Sequence, residues 1–195
     1  MGDDTGEATV RHYPVVIVGA GPTGVTAATL LAQYGVESLV LDRWPDVYAQ
    51  PRAVHLDDEV YRIIARLGIA DEFAAISRPA LGLRLLDSTF AVLAEFQRDP
   101  GARAHGFPQA NMFDQPELEA LLRANLKRYP QAHLRGDVEV IDVDDHSRGP
   151  VRITAVGRVD GEQYTVTADY VLGCDGANSL VRNGIGSTMH DLRFE

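Results

Sequence analysis

The sequence predicts an α/β fold in which a strand–turn–helix–strand unit opens the chain and a β meander fills its second half. Three observations predict it. In VVIVGAGPTG, 15–24, four apolar residues run into Gly19, Gly21 and Gly24 at G-x-G-x-x-G spacing, with a helical pattern directly behind. From Ala132 to Tyr170, short alternating runs follow one another with turn residues between them. In YVLGCDGANSLVR, 170–182, an apolar strand again breaks at a glycine and a helix begins. There are no internal repeats or low-complexity segments, so the chain reads as one α/β domain with a strand excursion near 81–112.

The elements follow in order. A helix from Pro22 to Tyr34 carries the small residues Gly24, Ala28 and Ala32 toward the sheet; Gly35 ends it and SLVLD forms the second strand. RWPDVYAQPRAVHL, 43–56, has two prolines and no period and reads as an ordered loop, the kind that usually serves a ligand. Asp57 caps a helix over DDEVYRIIARLG, with Val60, Ile63, Ile64 and Leu67 on its apolar face and Gly68 as the stop. IADEFAAIS is a short helix. Leu81 to Phe96 reads as strands, a hairpin around Asp87 and Ser88, with no obvious core of its own. In DQPELEALLRANLKRY, Asp114 caps, Pro116 sits in the first turn, and Leu118, Leu121, Leu122 and Leu126 share a face. The strands AHLRG, DVEVIDVDD, VRITAVGR and QYTVTADY come next, with Asp160-Gly161 suited to a tight hairpin turn.

The glycine loop has a defined chemistry. Gly19 lets the chain turn, Gly21 lets backbone N–H groups approach a diphosphate, and Gly24 lets the helix pack closely on its strand. The helix N-terminus adds partial positive charge. Asp42 ends the second strand, 23 residues after Gly19. A carboxylate there accepts hydrogen bonds from the ribose hydroxyls of an adenosine and repels the extra phosphate of NADP. An Asp at a strand end for solubility is the plainer alternative.

Composition narrows the function classes. With 18 basic and 28 acidic residues the net charge is −10, and no Lys/Arg run tracks a phosphate backbone, so nucleic acid is not an expected partner. The single cysteine, Cys174, excludes an intrachain disulfide and a CxxC metal site, and the six histidines are scattered, so no metal is expected. The acidic start lacks the features of a signal peptide, and no apolar run approaches the roughly 20 residues that span a bilayer; a cytoplasmic protein with no membrane partner is expected.

Three stretches together resemble the single-component FAD-dependent aromatic hydroxylases, the group A flavoprotein monooxygenases: GAGPTG at 19–24, DGANSLVR at 175–182, and PRAVHLDDE at 51–59 with NMFDQPELEALLR at 111–123. The PRA-x-x-L-D-D-E and F-x-Q-P-x-L-E-x-x-L-R patterns bring the resemblance closest to the 3-(3-hydroxyphenyl)propionate and phenol hydroxylase branch. It implies a Rossmann-like FAD-binding domain of the glutathione-reductase type with a β meander and an incomplete substrate domain. Residues 1–12 would be a mobile tail, 13–183 the FAD-binding domain with 81–112 reaching toward the substrate domain, and 184–195 the start of the crossing to it.

By that resemblance Gly19, Gly21, Pro22, Thr23 and Gly24 would hold the FAD diphosphate, with Asp42 and the adjacent Arg43 at the adenosine ribose end. Arg52 and Ala53, in PRA, would reach the ribityl-diphosphate region and Gln115 the FAD linker. Asp175 and Gly176 would form the DG motif linked to both FAD and NAD(P)H, completed by Arg182. Such sites suit the ligand, because a diphosphate takes backbone N–H groups and a guanidinium fork, and sugar hydroxyls take carboxylates and amides. Each has an ordinary alternative: Arg52 as a surface pair with Asp46 or Asp57, Asp175 as a helix cap, His55 as a structural residue rather than one facing the flavin, Trp44 as a core cover rather than a stacking platform, Cys174 as an inert strand residue.

The implied activity is hydroxylation of a small phenolic substrate with NADH or NADPH and O2 through a flavin C4a-hydroperoxide; no catalytic residue is assigned. A further Gly-Asp motif and most of the substrate sheet of the family lie beyond Glu195, so the chain is expected to be a fragment or one half of a split hydroxylase, its partner the C-terminal half in cis or trans. The alternatives are another FAD-dependent oxidoreductase, such as a halogenase or reductase, and a non-catalytic nucleotide-binding module. Bound flavin with NAD(P)H consumption would favour an enzyme; nucleotide binding without turnover would favour the module.

Overall fold

The computed structural model describes residues 10–99, 101–103, 105–145 and 149–193. The proposed tail lies, for residues 1–9, outside the described residues; ordered strand begins at Arg11. The chain divides into two compact units, one of the residues through Asp46 together with those from Leu126 onward, the other of Val47–Asn125.

The first unit is built on a six-stranded sheet. Strand β1 (Arg11–Val18) is followed by helix α1 (Pro22–Gln33) and strand β2 (Ser38–Leu41). Val16, Ile17, Leu39 and Val40 are fully buried, which at about 1.5–3 kcal/mol per side chain makes the centre of this sheet the main source of its stability. Such continuous apolar runs are what parallel strands covered on both faces require. On α1, Val25, Ala28 and Ala32 are buried, and the helix packs over β1 and β2.

The second unit begins with β3 (His55–Asp57), helix α2 (Asp58–Arg66), helix α3 (Ala70–Ile76) and β4 (Ser77–Pro79). The hairpin strands β5 (Gly82–Leu86) and β6 (Val92–Gln97) follow, then β7 (Ala110–Phe113) and helix α4 (Gln115–Leu126). β3, β7 and β4 form a small antiparallel sheet that the sequence patterns did not announce. Asp57 caps α2 through the Val60 amide at 2.8 Å, and Gly68, at φ +83°, ends it. The expected apolar face of α2 needs correction. Tyr61, Ile64 and Leu67 are buried, whereas Val60 and Ile63 are each 41% exposed. The stripe is centred on Tyr61 because its ring stacks on Phe107 at 4.3 Å and meets Phe73 edge-on at 4.8 Å.

The hairpin β5–β6 forms as expected. Its turn is held by Asp87, whose Oδ1 accepts from the Thr89 amide and hydroxyl and from the Ala91 amide. Strand alternation puts Leu83, Leu85 and Phe96 on one face, all about half exposed, and the Arg84–Glu95 ion pair, 2.9 Å, on the other.

Back in the first unit, β8 (Ala132–Arg135), β9 (Val138–Asp144), β10 (Val151–Gly157) and β11 (Gln163–Gly173) lead to the short helix α5 (Leu180–Gly184). The sheet order is β8-β2-β1-β11-β10-β9. The first four strands are parallel and the last two add antiparallel hairpin partners. Two expectations are revised here. QYTVTADY and the following YVLG are one strand, because the pairing of β11 with β1, from Val166 to Gly173, runs on past Ala168, where its pairing with β10 ends. The tight turn expected at Asp160-Gly161 takes in four residues: Arg158, Val159, Asp160 and Gly161 lie between the paired Gly157 and Glu162, with Gly161 at φ +72°. Tyr13, Val16, Leu39, Leu41, Val138, Ile153, Ala155, Val166 and Ala168 form one continuous core cluster. Among the described residues no helix is long and apolar enough to cross a membrane, and no cluster of three metal-ligating side chains occurs.

Candidate functional site

In the first unit, the loop after β1 emerges between its two parallel neighbours. The Gly19 amide donates to the Leu41 carbonyl of β2 at 2.8 Å, and the Cys174 amide just past β11 donates to the Val18 carbonyl at 2.8 Å. The chain turns off at the carboxyl ends of the parallel strands, beside β1, whose two sheet neighbours are β2 and β11; open α/β sheets bind ligands outside the carboxyl ends of their strands.

The three glycines do different jobs. Gly19 has φ +102°, and a Cβ there would run into the Cys174 carbonyl. At Gly24 a Cβ would strike the Gly19 carbonyl and lie 3.3 Å from the Cys174 Cβ, so the helix can approach the loop this closely only without a side chain. Gly21 is the N-cap of α1, extended at φ −70°, ψ −178°, and nothing lies within 4 Å of the position its Cβ would take. Pro22 occupies the first helical position, pre-set for a helix start, and Thr23 follows it in the first turn. No side chain caps this turn and no acidic residue stands in it, leaving the end of α1 open to an external acceptor.

Asp42 is tied to this loop. Its Oδ2 accepts from the Ala20 amide at 2.5 Å and its Oδ1 from the Trp44 amide at 2.7 Å. Two carboxylate oxygens offer about four acceptor positions, so capacity remains for further donors. Beside it, the Arg43 and Arg158 guanidinium groups lie 5.5 and 5.3 Å from the Trp44 ring centre, and Arg158 Nη1 donates to the Arg43 carbonyl at 3.0 Å. Arg158 carried no signal in the sequence because it enters from the β10–β11 turn.

The DGANS turn follows β11. The Asp175 carboxylate accepts from the Ser179 hydroxyl at 2.5 Å and the Leu180 amide at 2.6 Å, so the capping use of this residue is realised, with Ser179 adding a second cap through the Arg182 amide at 2.9 Å. Gly176 stands at φ +82°. Arg182 Nη1 donates to the Ala177 carbonyl at 2.7 Å, folding its guanidinium back on the turn. Burial, assisted by the Asp175 charge, pushes the Cys174 thiol up and keeps it protonated at neutral pH.

In the second unit, Arg52, Ala53 and Gln115 come together across more than sixty residues of sequence. Gln115 Oε1 accepts from the Arg52 amide at 2.7 Å and the Ala53 amide at 2.8 Å, pinning the PRA loop to the first turn of α4. The Arg52 guanidinium lies 4.9 Å from the Tyr48 ring centre, in cation–π contact. His55 is exposed on β3, paired in register with Met112.

The glycine loop and Asp42 fit a dinucleotide-type cofactor: an uncapped helix start with an open cradle at Gly21 suits a diphosphate, and a carboxylate with spare acceptor capacity suits ribose hydroxyls.

A family profile described as "FAD binding domain" matches residues 12–193. The chain is 36% identical over 185 residues to a 3-(3-hydroxy-phenyl)propionate/3-hydroxycinnamic acid hydroxylase of Burkholderia cenocepacia, covering 92% of this chain and 33% of that protein. It is 35% identical over 184 residues to a probable NADH-specific resorcinol 4-hydroxylase of Rhodococcus jostii, covering 94% and 34%. Among solved structures it resembles the flavin-dependent monooxygenase PieE in complex with FAD and substrate, with TM-score 0.79 and 29% identity over 90% of this chain and 32% of that one. The chain thus spans about a third of the length of the curated relatives it matches.

Proposed function

The chain belongs to the FAD binding domain family, and from that premise we propose that it forms the adenosine- and diphosphate-holding part of an FAD-dependent monooxygenase that hydroxylates a phenolic substrate with NADH or NADPH and O2. The observation that carries this reading is the coupling of Asp42 to the glycine loop through the Ala20 amide, which makes ribose acceptor and diphosphate cradle one rigid feature. Relatives named as hydroxylases of a hydroxyphenylpropionate and of resorcinol support the phenolic substrate class.

In this reading the amides at Gly21–Gly24 and the start of α1 bind the diphosphate, and Asp42 holds the ribose. Arg43 lies at the adenosine end, while Arg52 and Ala53 contact the cofactor from a loop that Gln115 keeps in place. The turn Asp175–Gly176, stiffened by the Asp175 and Ser179 caps and by Arg182, presents backbone to the same cofactor. FAD, when bound, supplies the redox chemistry; the protein orients it and excludes water. The apolar face of β5–β6, with Leu83, Leu85 and Phe96, is proposed to join a substrate sheet completed by the remaining part of the hydroxylase, in cis or in trans.

The test is titration of the chain with FAD, followed by flavin fluorescence. NADH and NADPH oxidation is then measured with a phenol panel once the rest of a full-length hydroxylase is supplied in cis. Saturable FAD binding and a hydroxylated product are expected. Absence of flavin binding overturns the cofactor, and flavin reduction without any hydroxylated phenol points to another flavoprotein oxidoreductase.

A further inference from the structure

Helix α4 carries a buried carboxylate. Glu119 is 4% exposed and stands one helical turn beyond Gln115, which is 8% exposed. Gln115 Nε2 donates to Glu119 Oε1 at 2.7 Å. A carboxamide has one donating and one accepting end, and its two faces are nearly identical in shape, so its neighbours decide which way it points. Here both neighbours are unambiguous. An ionised carboxylate only accepts and the backbone amides of Arg52 and Ala53 only donate, so a single orientation of Gln115 satisfies all three.

We infer that Glu119 is a positioning residue: by accepting from Nε2 its carboxylate anchors the Gln115 carboxamide in the one orientation that serves all three partners and, through it, holds the backbone at Arg52 and Ala53. A buried carboxylate is costly unless hydrogen-bonded, and an apolar side chain would fill this helix position without that cost. What the apolar replacement cannot do is accept from Nε2, and a carboxamide donor left buried without an acceptor loosens the hold of Oε1 on the two backbone N–H groups. The consequence for the cofactor rests on the reading above, because it needs Arg52 and Ala53 to touch FAD; the positioning itself does not.

Amide hydrogen exchange on the full chain without flavin tests it. In Glu119→Leu the Arg52 and Ala53 amides should exchange roughly ten- to a hundredfold faster, the loss of a charge-assisted bond and of the acceptor it orients. The Phe73 amide, bonded to the Ile69 carbonyl in the same unit, should stay within about twofold. Glu119→Gln, which keeps an acceptor, should return most of the protection. The reciprocal pair Gln115→Glu with Glu119→Gln should restore it, since a carboxylate then faces the loop and an amide donates to it. Unchanged exchange at Arg52 and Ala53 in Glu119→Leu, a uniform rise that includes Phe73, or a reciprocal pair as exposed as Glu119→Leu would each overturn the inference. If the wild-type chain shows this protection yet binds no FAD, the cofactor reading fails while the positioning stands.

Discussion

The Asp42 carboxylate and the Ala20 amide, 22 residues apart in sequence, are joined by a hydrogen bond of 2.5 Å that closes the glycine loop onto the end of the second strand. The other oxygen of the same carboxylate holds the Trp44 amide. Asp42 therefore has a structural task before any ligand arrives. Bonds to a charged acceptor are worth about 1.5–3 kcal/mol each, and Asp42→Ala removes both. Asp42→Ala should lower the urea midpoint measurably and weaken FAD binding roughly 10- to 100-fold. Asp42→Asn should keep part of the loop contact and lose more of the ribose contact. A flavin dissociation constant unchanged in both variants would remove Asp42 from the ribose site.

Gly24 and Gly21 separate packing from binding. A Cβ at Gly24 would strike the Gly19 carbonyl, and neither backbone can yield without disturbing the turn. Gly24→Ala should therefore cost about 1–3 kcal/mol of stability, as overpacking does. A Cβ at Gly21 meets nothing, and the extended backbone there suits any residue. Gly21→Ala should leave stability within about 0.5 kcal/mol, yet fill the space a diphosphate would use. Denaturant curves beside flavin titrations check this: a Gly21→Ala protein with wild-type FAD affinity would show that the cradle is not the binding surface.

The part of this architecture legible in the sequence is the part carried by local pattern. The apolar run to Val18, the glycine spacing and the Asp57 and Asp114 caps each sit within a few residues of what they govern, and Asp42 was legible by its place at a strand end although its Ala20 partner lies 22 residues away. The small sheet of β3, β7 and β4 escaped because three- and four-residue strands carry no measurable period. On α2, Val60 and Ile63 suggested the buried face by hydropathy, while Tyr61 took it through its aromatic partners. Glu119 and Asn125 are polar residues on the buried side of α4, and their partners, Gln115 and the Leu67 carbonyl, are known only once the helix is placed. Gln115 drew notice only through a family resemblance, and nothing in the sequence told that its carbonyl oxygen is spent on the Arg52–Ala53 loop.

Cys174 makes a pH prediction. Burial first, and the Asp175 charge second, push its thiol up, so the folded chain holds this proton more tightly than the unfolded chain does. Its contribution to stability is full below the unfolded pKa of about 8.5 and is lost as pH rises through the folded value. Since the thiolate is the reactive form, alkylation by iodoacetamide should be slow at pH 7, with an inflection above that of the urea-unfolded chain. An inflection at or below the unfolded one would mean that Cys174 is exposed and activated instead.

The β5–β6 hairpin makes the last prediction, because among the described residues it is a sheet of two strands with no third strand paired to it, and its apolar face is about half exposed. Leu83 and Phe96 stand opposite each other in register, 50% and 56% exposed. A two-stranded hairpin is marginal alone, so its stability leans on the turn, where Thr89 holds the Asp87 carboxyl below its usual range. That support is complete above the ordinary Asp pKa of about 3.9 and fades as pH falls through the lowered value. The Leu83–Phe96 ladder should therefore exchange its amides faster than the β1–β11 ladder at neutral pH, and lose its remaining protection first on acidification. Exposed leucines on a free edge also bind apolar probes and other sheets. Replacing the pair with Leu83→Glu and Phe96→Lys trades an apolar contact for an opposite-charge cross-strand pair of about 0.2–1 kcal/mol, so thermal stability should hardly move. Binding of the dye ANS and concentration-dependent self-association, read by sedimentation, should fall. Joined in cis to the rest of a hydroxylase, the same double variant should lose bound flavin or coupled hydroxylation. Full activity there, with ANS binding unchanged in the isolated chain, would show that this face joins no sheet.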